Sequence, residues 1–134
     1  MSQPSIFTRI INGEISADKI YEDDRVIAFL DINPITPGHT LVVPKQQIES
    51  LWDLDDEMYQ YVMKIVNLVA KRQKEILNPN RVGFFLDGMA VPHAHVHVLP
   101  LQGGLESTIA EHLKRNQTEP DFVALSEMAD RLRF

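Results

Sequence analysis

Three of the chain's five histidines alternate along one short segment, at positions 93, 95 and 97. In an extended strand, alternate side chains share a face and lie roughly 6.5 Å apart, so His93, His95 and His97 would form a row. Ala94 and Val96 would then face the core. Crowded imidazoles repel one another once they are protonated, so three in a row indicate a function. This row is the candidate site of the sequence.

Two kinds of chemistry suit such a row of imidazoles. A neutral imidazole ligates zinc and copper, but residues on one flat face converge poorly on one ion, and His39 is the only plausible helper elsewhere. Alternatively, one imidazole attacks phosphorus as a nucleophile while its neighbours stabilise or protonate oxygen. The sequence favours phosphate ester or phosphoramidate chemistry, and a metal-binding module is the weaker alternative.

The composition restricts the setting in which this site works. The chain has 134 residues, 44% hydrophobic and 24% charged, which is typical of one globular domain, and it contains no cysteine for disulfide or thiolate chemistry. The net charge of −6 disfavours nucleic-acid binding, and the basic residues Lys71, Arg72 and Lys74 are predicted to be a solvated helix face. Neither a membrane span nor a signal peptide is recognisable, so we expect a cytoplasmic protein that binds no membrane.

The elements that must position the histidines follow from the patterning of the chain. A short helix is predicted over residues 5–11, and a long helix that begins at Asp53 or Asp55 and ends near Leu77. Five strands are predicted, at residues 20–22, 26–30, 40–43, 82–86 and 94–99. Short connections between them favour antiparallel pairing.

The long helix carries apolar residues with a 3.6-residue period, which predicts that one of its faces covers the sheet. This stripe consists of Met58, Tyr61, Val62, Ile65, Leu68, Val69 and Ile76. After Gly103, helical patterning resumes over residues 108–115 and again around Phe122, Leu125, Ala129 and Leu132. The sequence does not indicate where this tail packs.

Several further segments accompany the histidine row between Ser5 and Pro100. They are Phe7, Ile10-Ile11-Asn12-Gly13-Glu14-Ile15, Tyr21-Glu22-Asp23-Asp24, Ala28-Phe29-Leu30-Asp31-Ile32 and Pro37-Gly38-His39-Thr40-Leu41-Val42-Val43-Pro44-Lys45. Together with the row they resemble the histidine triad (HIT) family. The resemblance implies a single α+β domain over residues 1–134, with a five-stranded antiparallel sheet, one long helix and a short N-terminal helix. The core would span about residues 5–100, and residues 101–134 would form a helical C-terminal extension.

The resemblance also implies a reaction. Family members hydrolyse or transfer nucleotides by attack of the middle histidine, here His95, on the α-phosphorus, which leaves a nucleotidyl-histidine for water to cleave. The implied substrate is a purine nucleotide such as an AMP derivative, either a nucleoside phosphoramidate or a dinucleoside polyphosphate. No cofactor is implied, and Hint-like members pair as homodimers.

Roles for the other site residues are implied in the same way. The carbonyl of His93 would fix the His95 tautomer, His97 would contact the phosphate or leaving group, and His39 would support the triad. Asp31 would bind the ribose hydroxyls through its two acceptor oxygens, with a role in a turn as the alternative. The base would be enclosed by four apolar side chains, for which plain core packing remains an alternative: Ile6, Phe7, Ile10 and Phe29.

Two departures from the family pattern affect these expectations. Many relatives hold zinc on two cysteines near the N-terminus, a histidine after the Pro-Lys pair, and the first triad histidine. Here Ser5, Thr8 and Gln47 stand at the first three of those positions, so we predict no structural zinc. Residues 87–91 also lack the glutamine with which relatives hold phosphate. The missing glutamine leaves open the alternative that the chain is a regulatory protein that binds a nucleotide without turning it over.

Overall fold

One five-stranded antiparallel sheet organises the computed structural model, which describes residues 3–115 and 119–134. The elements in chain order are α1 (Ile6–Ile11), β1 (Lys19–Glu22), β2 (Val26–Leu30), β3 (Thr40–Pro44), a 3-10 turn (Leu51–Asp53), α2 (Asp56–Leu77), β4 (Arg81–Phe85), β5 (Val96–Leu101), α3 (Leu105–Lys114) and α4 (Phe122–Leu132). The strands lie in the order β1-β2-β3-β5-β4, so β1 and β4 are the edges. The predicted α+β architecture is confirmed.

Side-chain caps set where the helices begin. The Ser5 hydroxyl accepts a hydrogen bond from the Thr8 N–H (3.0 Å) and begins α1. Asp55, rather than Asp53, begins α2 by accepting from the Met58 N–H (2.8 Å). Asn78, in the left-handed region with φ of 49°, follows the last residue of α2.

The two faces of the sheet carry different helices. Val62, Ile65 and Val69 of α2 are buried in one apolar cluster with Val96 and Val98 of β5. Two residues of α1 are buried on the other face in a separate cluster, which comprises Phe7, Ile10, Ile27, Phe29, Leu41 and Val43. The α2 face is therefore the main core, while the α1 face is left with room for a cleft.

Two predictions about α2 are wrong in detail. Leu68 is 37% exposed, because at 100° per residue it lies about 120° from the centre of the buried stripe; Val66 and Gln73 are buried instead. Arg72 is not part of a solvated face. Its guanidinium donates hydrogen bonds of 3.1 to 3.2 Å to the carbonyl oxygens of residues 131–133, at the end of α4. The helical tail thus packs back on α2, β1 and β2.

The strand that was expected to carry the histidine row begins later than predicted. β5 spans Val96–Leu101, so His97 alone of the three lies in the sheet. The Ala94 N–H donates to the Ile48 carbonyl (2.7 Å) instead of joining the strand ladder. The imidazole Nε2 of His93 is hydrogen-bonded to the carbonyl oxygen of Pro44, the last residue of β3. The three histidines therefore do not form one flat row.

Candidate active site

A cleft of about 640 Å³ opens on the α1 face of the sheet. His95 and His97 line it, but His93 does not. The five residues predicted to bind a nucleotide also line it: Ile6, Phe7, Ile10, Phe29 and Asp31. A second cavity of about 730 Å³, between residues 35–37 and α4, contains none of the three histidines. The structure thus brings the predicted binding residues together around two members of the triad.

The hydrogen bond to His95 determines which of its ring nitrogens is available for chemistry. Its Nδ1 lies 2.7 Å from the backbone carbonyl oxygen of His93. A carbonyl oxygen only accepts, so Nδ1 carries the proton and Nε2 keeps its lone pair. The side chain is 6% exposed, and the ring of Phe7 approaches its ring edge-on at 4.9 Å between centroids. In the neutral imidazole of His95, Nε2 is therefore the nitrogen with a free lone pair.

His39 fixes the protonation of His97 in a similar manner. The backbone N–H of Ile35 donates to Nδ1 of His39 (3.1 Å), so the proton of that ring lies on Nε2. His39 Nε2 then donates to Nδ1 of His97 (2.9 Å), which leaves the proton of His97 on Nε2. His97 therefore has an N–H that can donate to a ligand.

Both histidines of this pair are neutral near pH 7. Burial, and to a smaller extent the charge of His112, lowers the pKa of His39 to about 4. Burial, followed by His39 and His95, lowers the pKa of His97 to about 4. Burial thus keeps both rings neutral, and neutral imidazoles can lie close together without charge repulsion.

Asp31 lies at the cleft beside this pair. Its Oδ1 accepts from the Asn33 N–H (2.8 Å), and its Oδ2 lies 3.8 Å from His39 Nε2. Burial raises the pKa of this carboxyl group above its ordinary value, even though the Asn33 N–H opposes the shift. Oδ2 is left as an acceptor for a ligand.

Asp31, His39 and His97 also form the one set of potential metal ligands among residues 3–115 and 119–134, with ligand atoms within 4.8 Å of one another. An ion there would have to displace the proton that His39 shares with His97. The hydrogen-bonded arrangement of the pair favours hydrogen-bond donation by His97 over metal binding.

Two aromatic side chains of the cleft were not among the predicted site residues. Phe85, at the end of β4, pairs in register with His97, and its ring stacks on the imidazole at 4.4 Å with an interplanar angle of 4°. Phe122, at the start of α4, lines the cleft although it is 61% exposed. Phe85 was within a predicted strand, but no local signal indicated which strand lies beside β5.

His93 makes its contacts behind the cleft and not in it. It is fully buried, with Nε2 2.7 Å from the Pro44 carbonyl oxygen and Nδ1 2.7 Å from the Ser5 hydroxyl. Burial lowers the pKa of this imidazole, although the Pro44 carbonyl acts in the opposite direction. His93 thus acts on the cleft through its backbone carbonyl.

Comparisons with known proteins find related sequences and similar folds. The family model described as HIT domain matches residues 12–104. The purine nucleoside phosphoramidase of Escherichia coli is 35% identical over 109 residues, which cover 74% of this chain and 88% of that protein. Two solved structures are also similar. A Hit-like protein of Bartonella henselae has a TM-score of 0.82 and 33% identity, covering 99% of this chain and 97% of its own. A zinc-bound histidine triad protein of Mycobacterium smegmatis has a TM-score of 0.75 and 30% identity, covering 96% and 89%.

Proposed function

Because this chain belongs to the histidine triad family, we propose that it is a nucleotide hydrolase or transferase with His95 as its nucleophile. The substrate is a purine nucleoside phosphoramidate or a dinucleoside polyphosphate, cleaved at the α-phosphate. The observation that carries the proposal is the hydrogen bond from His95 Nδ1 to the His93 carbonyl. In the neutral ring this bond places the proton on Nδ1, so Nε2 has a free lone pair and no hydrogen-bond partner among the described residues. The side chain lines a nucleotide-sized cleft.

In the first step, His95 Nε2 attacks the α-phosphorus. For a phosphoramidate, the P–N bond breaks and the nitrogen, protonated from solvent, leaves as an amine. The nucleotidyl-imidazolium that forms keeps its Nδ1 proton on the His93 carbonyl, which stabilises the new positive charge. Water then cleaves the P–N bond to His95 and releases the nucleoside monophosphate. In a transfer reaction, another acceptor takes the place of water in this second step.

His97 stabilises the phosphoryl oxygens during both steps. Its pKa of about 4 keeps it neutral, with the single proton on Nε2, and His39 prevents the ring from flipping. Residues 87–91 border the cleft beside the triad without the glutamine of relatives. The remaining phosphate contacts come from backbone N–H groups of that segment.

The nucleoside occupies the apolar end of the cleft. Asp31 Oδ2 accepts from a ribose hydroxyl, since its other oxygen is taken by the Asn33 N–H. Phe7 and Phe29, whose rings meet edge-on at 5.6 Å between centroids, form a wall against which a purine packs.

The test is capture of the covalent intermediate. Wild-type protein incubated briefly with adenosine 5′-phosphoramidate should gain the mass of one adenylyl group, and His95→Ala should lose both the adduct and turnover, by on the order of 1,000-fold or more. His112→Gln, at a histidine outside the cleft, is the matched control. Turnover that persists in His95→Ala would contradict the assigned nucleophile. Tight AMP binding with no turnover of a broad substrate panel would favour the regulatory alternative.

Quaternary structure and location belong to the same proposal. We propose a homodimer in which the β4 edges of two copies pair, because β4 is an open edge and carries Phe84 with 52% of its surface exposed. Light scattering of the wild type and of Phe84→Lys tests this, and a wild-type monomer would refute it. No helix among the described residues is long and apolar enough to cross a membrane. We also propose a cytoplasmic location, with which the cysteine-free composition agrees.

A further inference from the structure

The residues at the zinc position of relatives do not fit zinc in this chain. In many relatives that metal joins the N-terminal segment to the first triad histidine. Structural zinc is held by thiolates, imidazoles and carboxylates. The groups beside His93 here are the hydroxyls of Ser5 and Thr8 and the amide of Gln47, all of which are uncharged. His93 alone of these four is a zinc ligand in character.

A hydrogen-bonded network joins the same four residues directly. Ser5 Oγ lies 2.7 Å from His93 Nδ1, and Thr8 Oγ1 donates to Gln47 Oε1 (2.6 Å). Gln47 Oε1 also accepts the Ser5 N–H (2.8 Å), and its Nε2 donates to the Gln3 carbonyl (2.9 Å). The network therefore ties the first turn of α1 to the segment after β3 and to His93.

The partners fix every proton in the chain of contacts that ends at His95. The Pro44 carbonyl can only accept, so His93 Nε2 donates to it and Nδ1 must accept. Ser5 Oγ donates to that Nδ1, while its own lone pair accepts the Thr8 N–H (3.0 Å) as the cap of α1. With its ring held at both nitrogens, His93 presents its carbonyl to His95 at a fixed position.

We propose that Ser5 is a positioning residue of the active site and that this network performs, without metal, the positioning for which relatives use zinc. Ser5 holds His93, and the His93 carbonyl holds the Nδ1 proton of His95. The same network keeps α1 in place, and α1 carries Phe7. The ring of Phe7 packs edge-on against the rings of His93 and His95, at 5.7 and 4.9 Å between centroids. The kinetic part of the proposal rests on the proposed hydrolase function.

The first experiment is Ser5→Ala, with Asp55→Ala as the matched control. Both variants lose a helix cap, but Asp55 lies at the exposed start of α2, away from the cleft. Ser5→Ala should lower kcat for adenosine 5′-phosphoramidate about ten-fold or more and change KM much less, because the nucleophile is misplaced while Gln47 still holds α1 through Thr8 and the Ser5 N–H. Asp55→Ala should leave both constants unchanged.

Ring ¹⁵N NMR of His93 gives a readout that does not depend on turnover. In the wild type, His93 should be neutral with its proton on Nε2, and in Ser5→Ala the Nδ1 signal should shift as its donor is lost. A wild-type His93 protonated on Nδ1 would overturn the inference, and so would a Ser5→Ala variant with unchanged kcat and His93 signals. If the wild type turns over no nucleotide, the proposed function fails while the NMR result still decides the network.

The second experiment restores the zinc ligands of relatives in the triple variant Ser5→Cys, Thr8→Cys, Gln47→His. It should bind one zinc ion per chain, measured by elemental analysis of untagged protein, and recover most of the wild-type kcat. Chelation should inactivate the triple variant and leave the wild type unaffected. Stoichiometric zinc in the wild type, activity of the wild type that is lost on chelation, or a triple variant that binds no zinc would refute the inference.

Discussion

Mild acid should destabilise this protein, and His97 should account for a measurable part of the effect. Burial lowers the pKa of His97 from 6.5 to about 4 in the folded chain. Between these values the unfolded state binds a proton that the folded state does not. The contribution of His97 to stability is therefore fully present above about pH 6.5 and is lost as the pH drops toward 4. Integrated from pH 7.5 to pH 5, this difference lowers the free energy of unfolding by about 2 kcal/mol for His97.

Urea unfolding at pH 7.5 and pH 5, monitored by far-UV circular dichroism, measures the loss of unfolding free energy that is due to His97. His97→Gln keeps an acceptor for the His39 Nε2–H but cannot titrate, so its free energy of unfolding should fall by about 2 kcal/mol less than that of the wild type. The raised pKa of Asp31 acts in the opposite direction in both proteins and largely cancels. If His97→Gln and wild type lose the same free energy, burial does not keep His97 neutral, and its assignment as a neutral N–H donor is refuted.

Three further substitutions test other contacts. Asp31→Asn should raise KM for a purine nucleotide about ten-fold while kcat changes little. The amide oxygen can still accept the Asn33 N–H, but the negative charge is lost. An unchanged KM in steady-state kinetics would exclude Asp31 from binding. Arg72→Met should lower the free energy of urea unfolding by about 1–2 kcal/mol, because the guanidinium binds three carbonyls at the end of α4; no change would mean that apolar packing alone holds α4. Gly38→Ala should cost about 1–3 kcal/mol in the same assay, because φ is +99° and the new Cβ would lie 2.8 Å from Leu77 Cδ1; wild-type stability would refute this strain.

The sequence determined the elements and the family. Periodicity located α2, the cap residue Asp55 was one of two candidates for its start, and the strand patterns placed all five strands to within about two residues. These features are local, because helix and strand periods and caps depend on residues a few positions apart. The motifs around His39 and His95 were specific enough to identify the family, and the family match confirms that identification.

The contacts between distant segments were decided only by the tertiary structure. The stacking of Phe85 on His97 depends on β4 and β5 being neighbours in register, and the position of Phe122 at the cleft depends on how α4 packs. Arg72 could be recognised as a ligand of the α4 carbonyls only once the tail was in place.

The histidine row itself separates what the sequence and the structure each decided. Spacing along the chain predicted three imidazoles on one face, but β5 begins only at Val96. The segment before it is free to turn His93 toward Ser5 and the Pro44 carbonyl, while His95 and His97 line the cleft. Sequence determined which residue types are available for the chemistry. Contacts between segments more than 40 positions apart decided which nitrogen of His93 and of His97 carries the proton. The tautomers of His39 and His95 depend on the nearby Ile35 N–H and His93 carbonyl.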